Sequence, residues 1–158
     1  MKKSIVFITV VVLIAALNFF WVERKYAPDQ SVHRVEKESK ITYVKLSGQT
    51  IKVDLAVTFE AQLQGLSGRE SLADGEGMLF IFPNSGEYLF WMKDMNFPID
   101  IIWIGADGRV VSIKESALPD SFPEVFKPDN PAKYVLEVLA GFSEKNNLAI
   151  GDGVEFTF

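Results

Sequence analysis

FWMKDMNFPIDIIWI, Phe90 to Ile104, sets two aromatic, β-prone runs, FWM and IIWI, on either side of a polar patch with Lys93, Asp94, Asn96 and Asp100. Pro98 lacks a backbone donor and has a fixed φ, so it belongs at the start of a strand rather than inside one. The stretch thus reads as strand, turn, strand. On such a strand Trp91 and Lys93 share one face, and Phe90 and Met92 the other. One reading makes the patch a hairpin turn of solvated residues, with Asp100 capping backbone N–H groups. The other makes it a site held between two strands, which needs partners from elsewhere in the chain.

Upstream, ITYVKLSGQTIKVDLAV (41–57) reads as two strands turning at Ser47-Gly48-Gln49, with Ile51, Val53 and Leu55 alternating against Lys52 and Asp54. The period then changes. Thr58 is an N-cap, and Phe59, Leu63 and Leu66 fall at i, i+4 and i+7, which predicts a short amphipathic helix ending at Gly65 or Gly68. GMLFIFPNSGEYLFWMK (77–93) predicts two apolar strands about a Pro83-Asn84-Ser85-Gly86 turn.

Downstream of the opening stretch, Ala106-Asp107-Gly108 turns the chain into RVVSIKES. Residues 117–133 carry four prolines and form a long loop, with Phe122 and Phe126 laid on the domain. KYVLEVLAG is a strand, FSEKNN a turn of helix, and Gly151-Asp152 a turn into a last strand. The pattern of about eight short strands and two short helices predicts a mainly β, α+β domain. Its sheet is antiparallel or mixed and curls into a small barrel or sandwich.

The chain has 158 residues, no Cys and one His. Lack of Cys excludes disulfides, thiolate zinc sites and cysteine nucleophiles. A Ser-His-Asp triad would have to recruit His33 from a charged segment. No stretch has the spacing of a metal loop such as D-x-D-x-D-G, and neither a metal nor a cofactor is expected.

Ile5 to Val22, IVFITVVVLIAALNFFWV, is apolar apart from Thr9 and Asn18 and follows Lys2 and Lys3. As a helix it would span about 27 Å, enough for a hydrocarbon core. No A-x-A cleavage site interrupts it, so residues 1–25 are expected as an uncleaved signal anchor, with secretion after cleavage as the alternative. The flanking charges put the N-terminus inside and the remainder outside, extracytoplasmic on a single pass. Residues 26–40 are expected as a tether and 41–158 as a single β-rich domain. Beyond residue 25 the chain carries 12 basic against 20 acidic groups, a field that repels nucleic acid.

Several motifs in order resemble domain-of-unknown-function family 192. They are Gln64, Gly65, Leu66, Gly68 and Arg69; Gly77 to Phe80 with Phe82; Phe90 to Lys93, Pro98, Asp100 and Ile101; Tyr134 to Glu137 with Ala140 and Gly141; and Gly151 with Asp152. Ser67, Asp94 and Met95 stand where the family pattern has Met, Asn and Thr. The resemblance covers about residues 50–155 and implies a small prokaryotic domain, often secreted or membrane-anchored.

Glu137 shares its predicted strand face with Val135 and Leu139, so its carboxylate lies in apolar company and must be paired, protonated or exposed. Arg69 and Lys93 are its natural partners. Gln64, Arg69, Trp91, Lys93, Asp94, Asp100 and Glu137 are therefore the candidate binding residues of a non-catalytic, membrane-anchored module for an envelope polymer or protein. The alternative is an envelope polysaccharide hydrolase using Glu137 and Asp100 as paired carboxylates. Trp91, Trp103 and Phe90 are expected in the core.

Overall fold

The computed structural model of the protein describes residues 40–157. The expected signal anchor (1–25) and the tether (26–40), except its last residue, lie outside the described residues. Among the described residues, no helix is long and apolar enough to cross a membrane.

Seven strands form one mixed sheet: β1 (Tyr43–Leu46), β2 (Gln49–Ala56), β3 (Glu76–Gly86), β4 (Ile99–Ile104), β5 (Val110–Ala117), β6 (Ala132–Leu139) and β7 (Val154–Thr157). Their order across the sheet is β5-β4-β6-β3-β2-β1-β7. Two short helices, α1 (Phe59–Gln64) and α2 (Phe142–Lys145), and a 3₁₀ turn at Pro119–Ser121 complete the domain. Only β2 and β3 run parallel, because α1 and the 65–75 segment carry the chain back to the same end. The sheet curls into a half-barrel. The start of β5 meets the turn before β7 through an Arg109–Gly153 bridge and N–H···O bonds from Val110 to Asp152 and from Val154 to Gly108. Asp152 holds that turn, its carboxylate accepting from the Ala149 N–H at 3.0 Å.

Apolar side chains pack on both faces. Every strand contributes to the concave side, through Val44, Ile51, Leu79, Ile102, Val110, Leu136 and Val154 among others. The convex side of β3, β4 and β6 is covered instead by the segments around Leu66, Phe90, Met95 and Phe126. Strands buried on both faces read as unbroken apolar runs rather than alternating ones, and all six residues of β4 are buried.

The structure corrects the reading of the opening stretch. The expected hairpin between an FWM strand and β4 is not formed, and the neighbours of β4 in the sheet are β5 and β6. FWM is no strand: residues 87–98 are irregular, with a single antiparallel bridge from Phe90 to Phe126. The alternation survives without the ladder. Phe90, Met92, Met95 and Phe97 are buried, while Trp91, Lys93, Asp94 and Asn96 face out. Phe90 is held edge-on between Phe80 (4.9 Å) and Trp103 (5.9 Å). Trp103 is core as expected, and Trp91 is not.

The second correction concerns α1. Thr58 caps it as predicted, its hydroxyl accepting from the Ala61 N–H at 3.2 Å. Yet none of its residues is buried, and Phe59 and Leu63 are 74% and 59% exposed. Leu66, the third residue of the expected apolar face, is buried because the chain has left the helix at Gly65, with φ 53°.

Gly77 faces Val53 on β2 and Val138 on β6. A Cβ there would lie 2.7 Å from the Glu137 carbonyl oxygen. Gly77→Ala is therefore expected to cost about 2 kcal/mol or more by overpacking. Urea unfolding with an unchanged midpoint would refute the contact.

Candidate functional site

The register places one row of side chains across the convex face: Ile101 on β4, Glu137 on β6, Met78 on β3 and Asp54 on β2. Strands are spaced about 4.8 Å apart, so Glu137 and Asp54 stand roughly 10 Å apart with Met78 between them. Above this row lies the Gln64–Arg69 turn, and beside it the Lys93–Asn96 turn.

Four hydrogen bonds fix these turns. The Ser67 hydroxyl donates to the Lys93 carbonyl (2.8 Å) and the Gly68 N–H to the Asp94 carbonyl (2.8 Å). The Asn96 amide donates to the Arg69 carbonyl (2.8 Å), and the Gln64 amide to the Ser67 carbonyl (2.7 Å). Asp94 sits at φ 56°, in the left-handed region. Asp and Asn tolerate that region better than other side chains. Two motifs far apart in sequence thus form one rim.

Inside the rim is an open depression of about 460 Å³, lined by Ala61, Gln64, Gly65, Ser67, Gly68, Arg69 and Met78. Glu137 lies beneath it. Its Oε2 is 3.9 Å from where a Cβ on Gly65 would be, and it has no hydrogen-bond partner. Burial pushes the Glu137 carboxyl up to about 8, opposed by the Arg69 charge, so the group is mostly protonated at neutral pH. Arg69 does not bond it. Its guanidinium donates to Asp54 at 2.7 Å instead, and that pair is substantially solvent-exposed.

Asp100 is elsewhere. It pairs with Val138, one residue along from Glu137, and so points to the opposite face of the sheet. Its fully buried carboxylate accepts backbone N–H groups from Ser116 (2.8 Å), Gly141 (3.3 Å) and Ser143 (2.8 Å). Those bonds tie β4 to the end of β5 and the entry of α2. The geometry brings Gln64, Arg69, Lys93 and Asp94 to one rim, with Glu137 below and Trp91 at its edge, and leaves Asp100 out. The paired-carboxylate arrangement of the hydrolase alternative is not formed.

Two contributors escaped the sequence reading. Asp54 captures Arg69, and Ser67 ties the two turns together. Asp54 looked like an ordinary exposed residue of an alternating strand, whereas Ser67 stood out as a departure from the family pattern. Next to the rim, a broader concavity of about 570 Å³ runs along Phe59, Leu63, Ser67, Trp91 and Lys93. A further concavity of about 420 Å³ lies among residues 49–51, 73–76 and 138–146, and none of the candidate residues lines it.

The family model for DUF192, described as Uncharacterized ACR, matches residues 42–156. Two solved structures are similar over most of the chain. A protein of unknown function from Novosphingobium aromaticivorans is 34% identical, with 73% of this chain and 84% of that one covered, at a TM-score of 0.69. A proposed transcription regulator from Sinorhizobium meliloti is 35% identical, with 72% and 92% covered, at a TM-score of 0.68. No curated protein matches.

Proposed function

The chain belongs to the DUF192 family, and from that premise we propose that its folded domain is a binding module without catalysis of its own. Its N-terminal apolar segment holds it at the extracytoplasmic side of a membrane, and its ligand is an envelope polymer or protein. The binding site is the rim of Gln64, Arg69, Lys93 and Asp94, with Trp91 at the border.

The observation that carries this reading is the open depression between the two turns, whose walls are already fixed by their mutual hydrogen bonds, with the orphaned Glu137 oxygen sealed under its floor. A buried polar atom without a partner costs about 1–3 kcal/mol. Glu137 Oε2 carries that cost beneath the floor of the depression, where a ligand reaches it only if Gly65 or Met78 gives way. The rim is held by backbone acceptors, which leaves the Arg69, Lys93 and Asp94 side chains out at the surface. The regulatory role named for the Sinorhizobium protein is not carried over, because an acidic chain of this charge repels a phosphate backbone.

The test is capture of cell-envelope components by the full chain and by a chain carrying Arg69→Ala with Lys93→Ala. Both side chains lie at the surface, so the melting temperature is expected to change little, within about 1 kcal/mol of stability. Recovery of the specific ligand is expected to fall about tenfold or more, the equivalent of one lost charge-assisted contact. Equal recovery by both chains would remove the site.

A further inference from the structure

Seven of the nine large apolar side chains exposed among the described residues belong to α1, the 87–98 segment or the 118–131 loop. Their continuity follows from the Phe90–Phe126 bridge. Phe90 donates to and accepts from Phe126 at 2.9 and 2.8 Å, with both rings in the core. In an antiparallel bridge the flanking residues point the other way, and residue i+1 on one strand faces j−1 on its partner. Trp91 and Val125 are therefore outward neighbours, 41% and 47% exposed. Trp91 also shares a concavity with Phe59, Leu63 and Leu89. An apolar stripe thus runs from α1 across Trp91 to Val125.

Stripes of this extent on a soluble surface mark an interaction site. We propose that this one docks on a neutral phospholipid bilayer, with Trp91 at the interfacial level and the stripe in the headgroup–acyl boundary. This rests on the reading that the N-terminal segment anchors the chain. Residues 23–39, between the apolar run and the described domain, are seventeen residues, at most about 60 Å of chain even when fully extended. A domain of this size is itself roughly 35 Å across. A domain anchored through so short a segment stays within reach of the bilayer, and this is the face with apolar side chains to bury. Trp is the residue that membrane interfaces select. The charges beside the stripe are acidic in excess, Glu60, Glu87, Asp94, Asp120 and Glu124 against Lys93 and Lys127. With the acidic excess of the whole chain, they favour zwitterionic over anionic lipid. The rim described above then opens beside the membrane surface.

The chain has no cysteine, so single labels are clean. The full chain is reconstituted in phosphatidylcholine vesicles with an environment-sensitive fluorophore on Val125→Cys, or on Ile150→Cys as the exposed control outside the stripe. Brominated lipid is expected to quench the label at 125 and spare the label at 150. Phe59→Ser with Leu63→Ser is expected to reduce the quenching at 125, and neither substitution removes a buried side chain. Replacing the lipid with phosphatidylglycerol is expected to weaken it. Flotation with the vesicles but no quenching at 125 overturns the docking and leaves the anchor standing. Failure to float overturns both. A label at 125 that is shielded from water yet insensitive to brominated lipid assigns the stripe to a second copy or to residues 5–22, and also overturns the proposal.

Discussion

Replacing Glu137 with Gln is expected to stabilise the domain, and by more as pH rises from 5 to 8.5. The Glu137 carboxyl titrates near 8 in the folded protein because burial penalises its charged form. In the unfolded chain it titrates near the ordinary carboxyl value, about 4.3. Between those two values the folded state binds a proton that the unfolded state has released. Folding stability therefore falls as pH rises through that window, and levels off above about 8. Each unit of difference corresponds to about 1.4 kcal/mol, so the whole effect is on the order of 3 kcal/mol once relaxation of the buried group is allowed for. Gln keeps the shape and does not titrate. The measurement is the difference in urea midpoints between the two chains across pH. A difference independent of pH would mean that Glu137 is ionised or hydrated in the folded protein. The same substitution is expected to weaken ligand capture only where the ligand uses the acid proton or the carboxylate charge, so stability and binding are read separately.

Asp100→Ala is expected to be the most damaging single change at a polar position, costing about 3–6 kcal/mol. The mechanism is the stranding of three backbone N–H groups, from Ser116, Gly141 and Ser143, now satisfied by one fully buried carboxylate. Each unsatisfied buried donor costs about 1–3 kcal/mol, and bonds to a charged acceptor lie at the upper end. Ser116 adopts φ 47°, so the carboxylate also holds that residue in a left-handed conformation that a side chain disfavours, whereas Gly141 at φ 86° takes it freely. Asp100→Asn keeps one acceptor and sets an amide donor against an N–H, so an intermediate loss is expected. Urea unfolding of the three chains checks the order. A loss below about 1 kcal/mol for Asp100→Ala would show that water replaces the carboxylate.

Much of this domain is legible in its residues. The hairpin at Ser47-Gly48 and the strands 49–56, 99–104 and 132–139 follow from turn chemistry and apolar patterning, as does the one-turn helix at 142–145. Glu137 announced itself as a carboxylate in an apolar run, and it is buried. FWM misled because side-chain alternation arises wherever a chain lies flat on a core. Here the loop packs Phe90 and Met92 inward with only the isolated Phe90–Phe126 bridge in place of a ladder. Phe59 and Leu63 misled in the opposite sense. Their spacing is that of a core-facing stripe, but a six-residue helix ending at Gly65 presents it outward.

What the residue order determined is local: which segments extend, where they turn, and which polar groups sit in apolar company. Those outcomes follow from interactions within a few residues of one another. The tertiary structure alone decided strand order and register, and with them the company that each polar group keeps. Pairing of Asp100 with Val138 places neighbours Asp100 and Glu137 on opposite faces, one saturated by backbone donors and the other orphaned under the rim. Residue spacing cannot state that, because a one-residue shift in register would exchange the two faces and leave every local preference unchanged.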